Sequence, residues 1–161
     1  MELTHVDPSG AARMVDVSGK EVTRRSARAA GRLRTTAEVV ELLRKNSLAK
    51  GDALAVARIA GIAAAKRTPD LIPLCHPLGL HAVQVELELG PDFVDFAATV
   101  HTADRTGVEM EALTAVSVAG LALYDMIKAV DRAAVLGDIR LLAKSGGRSG
   151  TWTRDGATVA E

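Results

Sequence analysis

The stretch KRTPDLIPLCHPLGL, Lys66 to Leu80, places the only cysteine of the chain, Cys75, beside His76, with Pro73 and Pro77 close on either side. A thiol and an imidazole can serve as nucleophile, proton carrier or metal ligand. A zinc site needs about four ligands, or three and a water. The other histidines, His5, His81 and His101, are scattered along the chain. Three readings stay open: a rigid turn around a buried, inert thiol, a working histidine held by the prolines, and, with least support, a metal site.

Carboxylates and lysines offer further chemistry. Glu109 and Glu111 lie two residues apart in TGVEMEAL. On a helix they would point about 200° from each other, and acidic residues at a helix start are also stabilised simply by its dipole. Asp125 and Lys128 in YDMIK stand at i,i+3, neighbours on one helix face. They make either a surface ion pair or an acid–base pair with tuned pKa values. Lys50 in KGD and the segment KSGGRSG, Lys144 to Gly150, are candidates for holding an anion. Glycines there allow main-chain amides to turn inward as a nest, but the spacing is not that of a P-loop. Arg24 and Arg25 either add positive charge or keep an edge strand soluble.

Spacing limits how these groups can combine. Glu111 and Asp125 lie on one expected helix, about 21 Å apart along its axis. A small-molecule site within one subunit could hardly use both. If both are functional, the site is built between subunits.

Composition excludes several classes. The chain has 161 residues, enough for one domain with a core, and 20 basic residues balance 20 acidic ones. That balance argues against a nucleic-acid partner and confines any anion site to a local cluster. One cysteine precludes an internal disulfide, and no signal-peptide pattern or membrane-length apolar run is evident. The expectation is a cytoplasmic protein. Only Phe93, Phe96, Tyr124 and Trp152 are aromatic, so a flat ring would be held by edge hydrogen bonds and phosphate contacts more than by stacking. No residue constellation requires a metal or cofactor; Mg²⁺ arriving with phosphates is left open.

The positioning elements follow from periodicity. A polar, turn-rich start contains a short extended piece at Met14–Val17, and EVTRRSARAAGRL reads as an extended edge segment. Thr36 and Asp52 are expected to cap two helices. The second of these would bury Leu54, Ile59 and Ile62, and Pro69 and Pro73 would break the pattern after it. HAVQVELEL and FVDFAATVHT alternate with period two and predict an antiparallel hairpin. The longest helix opens after Thr106-Gly107, and DIRLLAKS forms a last strand. The pattern predicts an α+β two-layer sandwich with helices on one face of an antiparallel sheet. Residues 1–150 would be one domain and 151–161 a flexible tail.

In order and at matching separations, MVDVS, KGD, ARIAG, AAKRTPDLIPLCHPL, TGVEMEALTA, YDMIKAV and LLAKSGG resemble the MoaC family of molybdenum-cofactor biosynthesis. The resemblance runs from about Leu3 to Gly150. It implies a lyase that converts 3',8-cyclo-7,8-dihydro-GTP to cyclic pyranopterin monophosphate and releases pyrophosphate. Such an enzyme acts after a radical S-adenosylmethionine GTP cyclase. The resemblance also implies a ferredoxin-like fold and a hexamer, a trimer of dimers, with sites between subunits. Carried over by position, Lys50 and Lys128 match essential lysines and Asp125 an active-site aspartate. Leu74, Cys75 and His76 match a substrate-binding element, as do Met110 and Glu111; Glu109, Arg25 and Lys144 match further pocket residues. On this reading the proline-framed turn meets substrate through its backbone and His76, while Cys75 packs.

Overall fold

Thr23–Arg34 form strand β1, and it lies in the middle of the sheet, not at the edge where its basic character suggested. Its side chains alternate in kind. Ala27, Ala29, Gly31 and Leu33 turn to a buried face, while Arg28 and Arg32 turn to the other. There the arginines are neutralised across neighbouring strands: Arg28 meets Glu86 at 2.7 Å and Arg32 meets Asp95 at 2.6 Å. The charges therefore mark an uncovered sheet face and not a free strand edge.

The computed structural model describes residues 5–157. After β1 come helices α1 (Ala37–Arg44), α2 (Ala53–Lys66) and the single turn α3 (Thr68–Leu71). Strands β2 (Leu80–Leu89) and β3 (Phe93–Asp104) form the expected hairpin, followed by α4 (Glu109–Ile127), β4 (Val135–Ser145) and the two-residue β5 (Trp152–Thr153). The sheet order is β2-β3-β1-β4-β5 with every neighbouring pair antiparallel. The order β-α-β-β-α-β, counting the run of helices after β1 as one crossover, is the ferredoxin-like arrangement. The fold is α+β, as the periodicity predicted.

Local signals explain the helix boundaries. The side chains of Thr36 and Asp52 accept hydrogen bonds from the amides of Val39 and Ala55, capping α1 and α2. Pro69 does not break the chain into a loop; it occupies the first turn of α3, where its missing N–H costs nothing. Met14–Val17 forms no strand.

The buried face of α2 differs from expectation. Ala53, Ala57, Gly61, Ala64 and Ala65 are buried, Leu54 and Ile62 pack at its margin, and Ile59 is 67 % exposed. The cause is close helix packing. A Cβ at Gly61 would lie 2.8 Å from the Ala115 carbonyl oxygen on α4, so only small residues fit between the two helices. Helix α4 in turn packs on β1, β3 and β4. It is long and apolar enough to cross a membrane, but half of its apolar window is buried in this core.

Candidate functional site

The residues expected to do chemistry gather at three places, set by the two ends of α4 and the end of β4. At the C-terminal end of α4, the Lys50 ammonium donates to a carboxylate oxygen of Asp125 at 3.0 Å and to its main-chain oxygen at 2.7 Å. Lys128 reaches the other carboxylate oxygen at 2.6 Å. The cap at Asp52 fixes where α2 begins and so places Lys50 just before it; Lys128 is itself the C-cap of α4. Hydrogen bonds from Lys128 and Lys50 hold the Asp125 carboxyl below the usual carboxylate range, and Asp125 raises Lys128. All three side chains are exposed. In a single chain this is a solvated ion cluster.

The N-terminal end of α4 is the electrostatic opposite. Glu111 is only 3 % exposed, and burial, reinforced by the neighbouring charge of Glu109, pushes its carboxyl up to about 7. It lines a cavity of about 320 Å³ together with Leu74, Cys75, His76, Glu109 and Met110. That volume is at the lower end for a small-molecule pocket. His76 Nε2 lies 2.7 Å from the Val15 carbonyl oxygen. A carbonyl only accepts, so the ring presents Nε2–H to it, and a neutral His76 keeps Nδ1 as an acceptor. The Cys75 thiol is pushed up by burial and by Glu111, which keeps it protonated and disfavours a nucleophilic role.

The third place joins the second. Arg25 donates through Nε to the Asp104 carbonyl at 2.9 Å and through Nη2 to the Arg105 carbonyl at 3.1 Å. These bonds hold its guanidinium beside the turn after β4, where Gly146 and Gly147 have φ of 92° and 71°. A side chain at Gly147 would overlap the Arg25 guanidinium. Lys144 bonds Ser149 across the same turn. Lys20, Arg25, Gly147 and Arg148 line the resulting basic cleft, with Glu21 as its one carboxylate.

Lys20 also lines the Glu111 cavity, so the two hollows adjoin. The sequence reading did not single out Lys20, Val15 or Val17. The available signal was position: Lys20 lies two residues past the MVDVS block. Among the described residues no group of three or more histidine, cysteine or acidic side chains is placed to hold a metal ion.

The structure thus brings Lys50, Asp125 and Lys128 together, and brings Leu74, Cys75, His76, Glu109, Met110 and Glu111 together with Arg25 and Lys144 nearby. It keeps the two sets at opposite ends of one unbroken 19-residue helix.

Comparison with known proteins gives this arrangement a family context. A family model described as MoaC family matches residues 14–147. The chain is 64 % identical over 152 residues to the cyclic pyranopterin monophosphate synthase of Streptomyces coelicolor, covering 94 % of this chain and 89 % of that protein. It is 63 % identical over 153 residues to cyclic pyranopterin monophosphate synthase 2 of Mycobacterium tuberculosis, covering 95 % and 92 %. A Nocardioides protein of the first name is 64 % identical over 155 residues, covering 94 % and 95 %.

Proposed function

Since the chain belongs to the MoaC family, we propose that its two separated clusters are halves of one lyase site, completed between subunits. The protein is an enzyme of molybdenum-cofactor biosynthesis, a lyase. The substrate on this reading is 3',8-cyclo-7,8-dihydro-GTP and the products are cyclic pyranopterin monophosphate and pyrophosphate. The observation that carries the two-subunit site is the continuity of α4, which holds Glu111 and Asp125 about 21 Å apart.

The surroundings of the Lys50 cluster support it. Leu121 on α4 is 58 % exposed, and Val56 and Ile59 on α2 are also open. An exposed apolar strip beside an exposed ion cluster is what a second copy would cover. Covering it removes water from the cluster, and desolvation acts on Lys128 against the rise that Asp125 gives it in the single chain. Trimer-of-dimers assembly, action after a radical S-adenosylmethionine GTP cyclase, and a cytoplasmic setting belong to the same reading.

Each group then has a task. The cleft of Arg25, Lys144 and the glycine amides receives the triphosphate and neutralises its charge. A substrate hydroxyl attacks the α-phosphorus, the bond to the bridging oxygen breaks, and pyrophosphate leaves with its new charge held by those cations. Lys50, Lys128 and Asp125 move protons on and off the ring nitrogens during rearrangement. Glu111, with a pKa near neutrality, can hold or release a proton at the pterin end, and His76 offers one nitrogen as acceptor.

Incubation with 3',8-cyclo-7,8-dihydro-GTP should yield pyrophosphate and the pterin product in equal amounts. Binding without either product would refute the lyase assignment for this chain. The two-subunit site has its own test, in which inactive Lys128→Ala and Glu111→Ala chains are mixed. Random re-pairing leaves one intact site in each mixed dimer, so about a quarter of wild-type activity returns. No recovery after verified subunit exchange would place the whole site within one chain.

A further inference from the structure

At the end of the sheet where β1 begins, four strands bring a row of polar side chains into line. Ser26 pairs with His101 on β3 to one side and with Ser145 on β4 to the other. The hydroxyls of Ser26 and Ser145 are 2.8 Å apart. On β2 the register slips between Leu80, which faces Thr102, and Ala82, which faces His101. His81 is therefore the extra residue of a bulge, and bulges re-aim side chains. Arg24, two residues before Ser26, completes the surround of a cavity of about 480 Å³.

The lining of this cavity is chemically one-sided. The cavity is lined by Arg24, Arg25, His81, His101 and the paired serines, with no carboxylate residue; the guanidinium of Arg25 itself lies at the Gly147 turn. Among the described residues neither Arg24, His81 nor His101 has a side-chain hydrogen bond or ion pair. Arg25, by contrast, is committed to two carbonyls. Arg25 also separates this cavity from the basic cleft at Gly147. On the same face Arg28 and Arg32 are matched with acids, at Glu86 and Asp95. Arg24 has no such acid among the described residues.

We propose that this cavity is a second anion site, distinct from the lyase site, that takes a phosphate group through Arg24, His101 and His81. Unpartnered donors converging without a competing carboxylate favour a compact oxyanion, and a guanidinium matches two phosphate oxygens at once. The phosphate could arrive free, as pyrophosphate, or on a nucleotide; both present the same oxygens. The site does not depend on the lyase assignment.

The chain has four histidines, which makes their ring carbon–proton signals a direct readout by nuclear magnetic resonance. Titration with inorganic pyrophosphate, and separately with GTP, is expected to shift the His81 and His101 signals saturably. The tighter of the two identifies the source of the phosphate. Arg24→Gln should weaken that titration at least about fivefold and leave turnover unchanged. Shifts confined to His76 would leave the lyase site standing and end this proposal. So would an Arg24→Gln titration identical to that of the unaltered protein.

Discussion

Glu111 and Asp125 are carboxylates on the same face-to-core helix, and their surroundings drive them in opposite directions. Burial at one end of α4 pushes Glu111 up to about 7, while two lysine ammonium groups at the other end hold Asp125 down. One helix thus presents a group near its protonation midpoint and a fixed anion.

The Asp125 cluster should behave as a unit. Asp125→Asn removes the partner of both Lys50 and Lys128, so turnover is expected to fall by about a hundredfold or more, with the circular dichroism spectrum unchanged. Lys50→Ala and Lys128→Ala should do the same. Near-normal turnover in all three would mean that these exposed residues are ordinary ion pairs.

Glu111 should make stability depend on pH. Its folded-state pKa is raised above the ordinary 4.5, so the folded state holds its proton more tightly than the unfolded one. The associated stability is complete below about 4.5 and is lost as pH rises through about 7. Glu111→Gln cannot ionise and escapes that loss. Its melting temperature is expected to exceed that of the unaltered protein at pH 8, with the gap closing by pH 5. A gap that does not change with pH would contradict the burial argument.

His76 should tether the segment before β1. Its Nε2 hydrogen bond to Val15 is a long-range tie on residues 13–17, which form no strand or helix. In His76→Ala, amide hydrogen exchange should quicken across these residues and stay unchanged in α4. Equal exchange in both proteins would show that the segment is held by other contacts.

Gly146 should be intolerant of a side chain. Its φ of 92° disfavours any other residue, and a Cβ there would overlap the Arg24 carbonyl oxygen. Gly146→Ala is expected to cost about 2 kcal/mol of stability and to raise the KM for substrate more than it lowers kcat, because the turn borders the anion cleft. An unchanged KM would detach the turn from substrate binding.

Much of this protein was legible locally. The caps at Thr36 and Asp52, the β2–β3 hairpin and the long α4 each arise from short-range signals: a side-chain acceptor before a helix, period-two alternation, a run of small and apolar residues. The grouping of Leu74, Cys75, His76 and Glu109 to Glu111 was likewise implied by the resemblance of their motifs, and the pair Asp125–Lys128 by helical spacing. Their roles rest on the tests above.

Other features depended on what each segment meets. The central position of β1 was hidden because its arginines find acids on β2, β3 and β4, which no local pattern reveals. The buried face of α2 was misjudged because hydrophobicity favours Ile59, whereas the close approach of α4 admits only Ala and Gly. Lys20 became a candidate only when folding put it on the wall shared by two cavities. The sequence by itself determined which stretches become helix or strand and which chemical groups they carry. The tertiary structure decided which of those groups are desolvated, paired or left facing a cavity, because burial and charge pairing are properties of neighbours far apart in the chain.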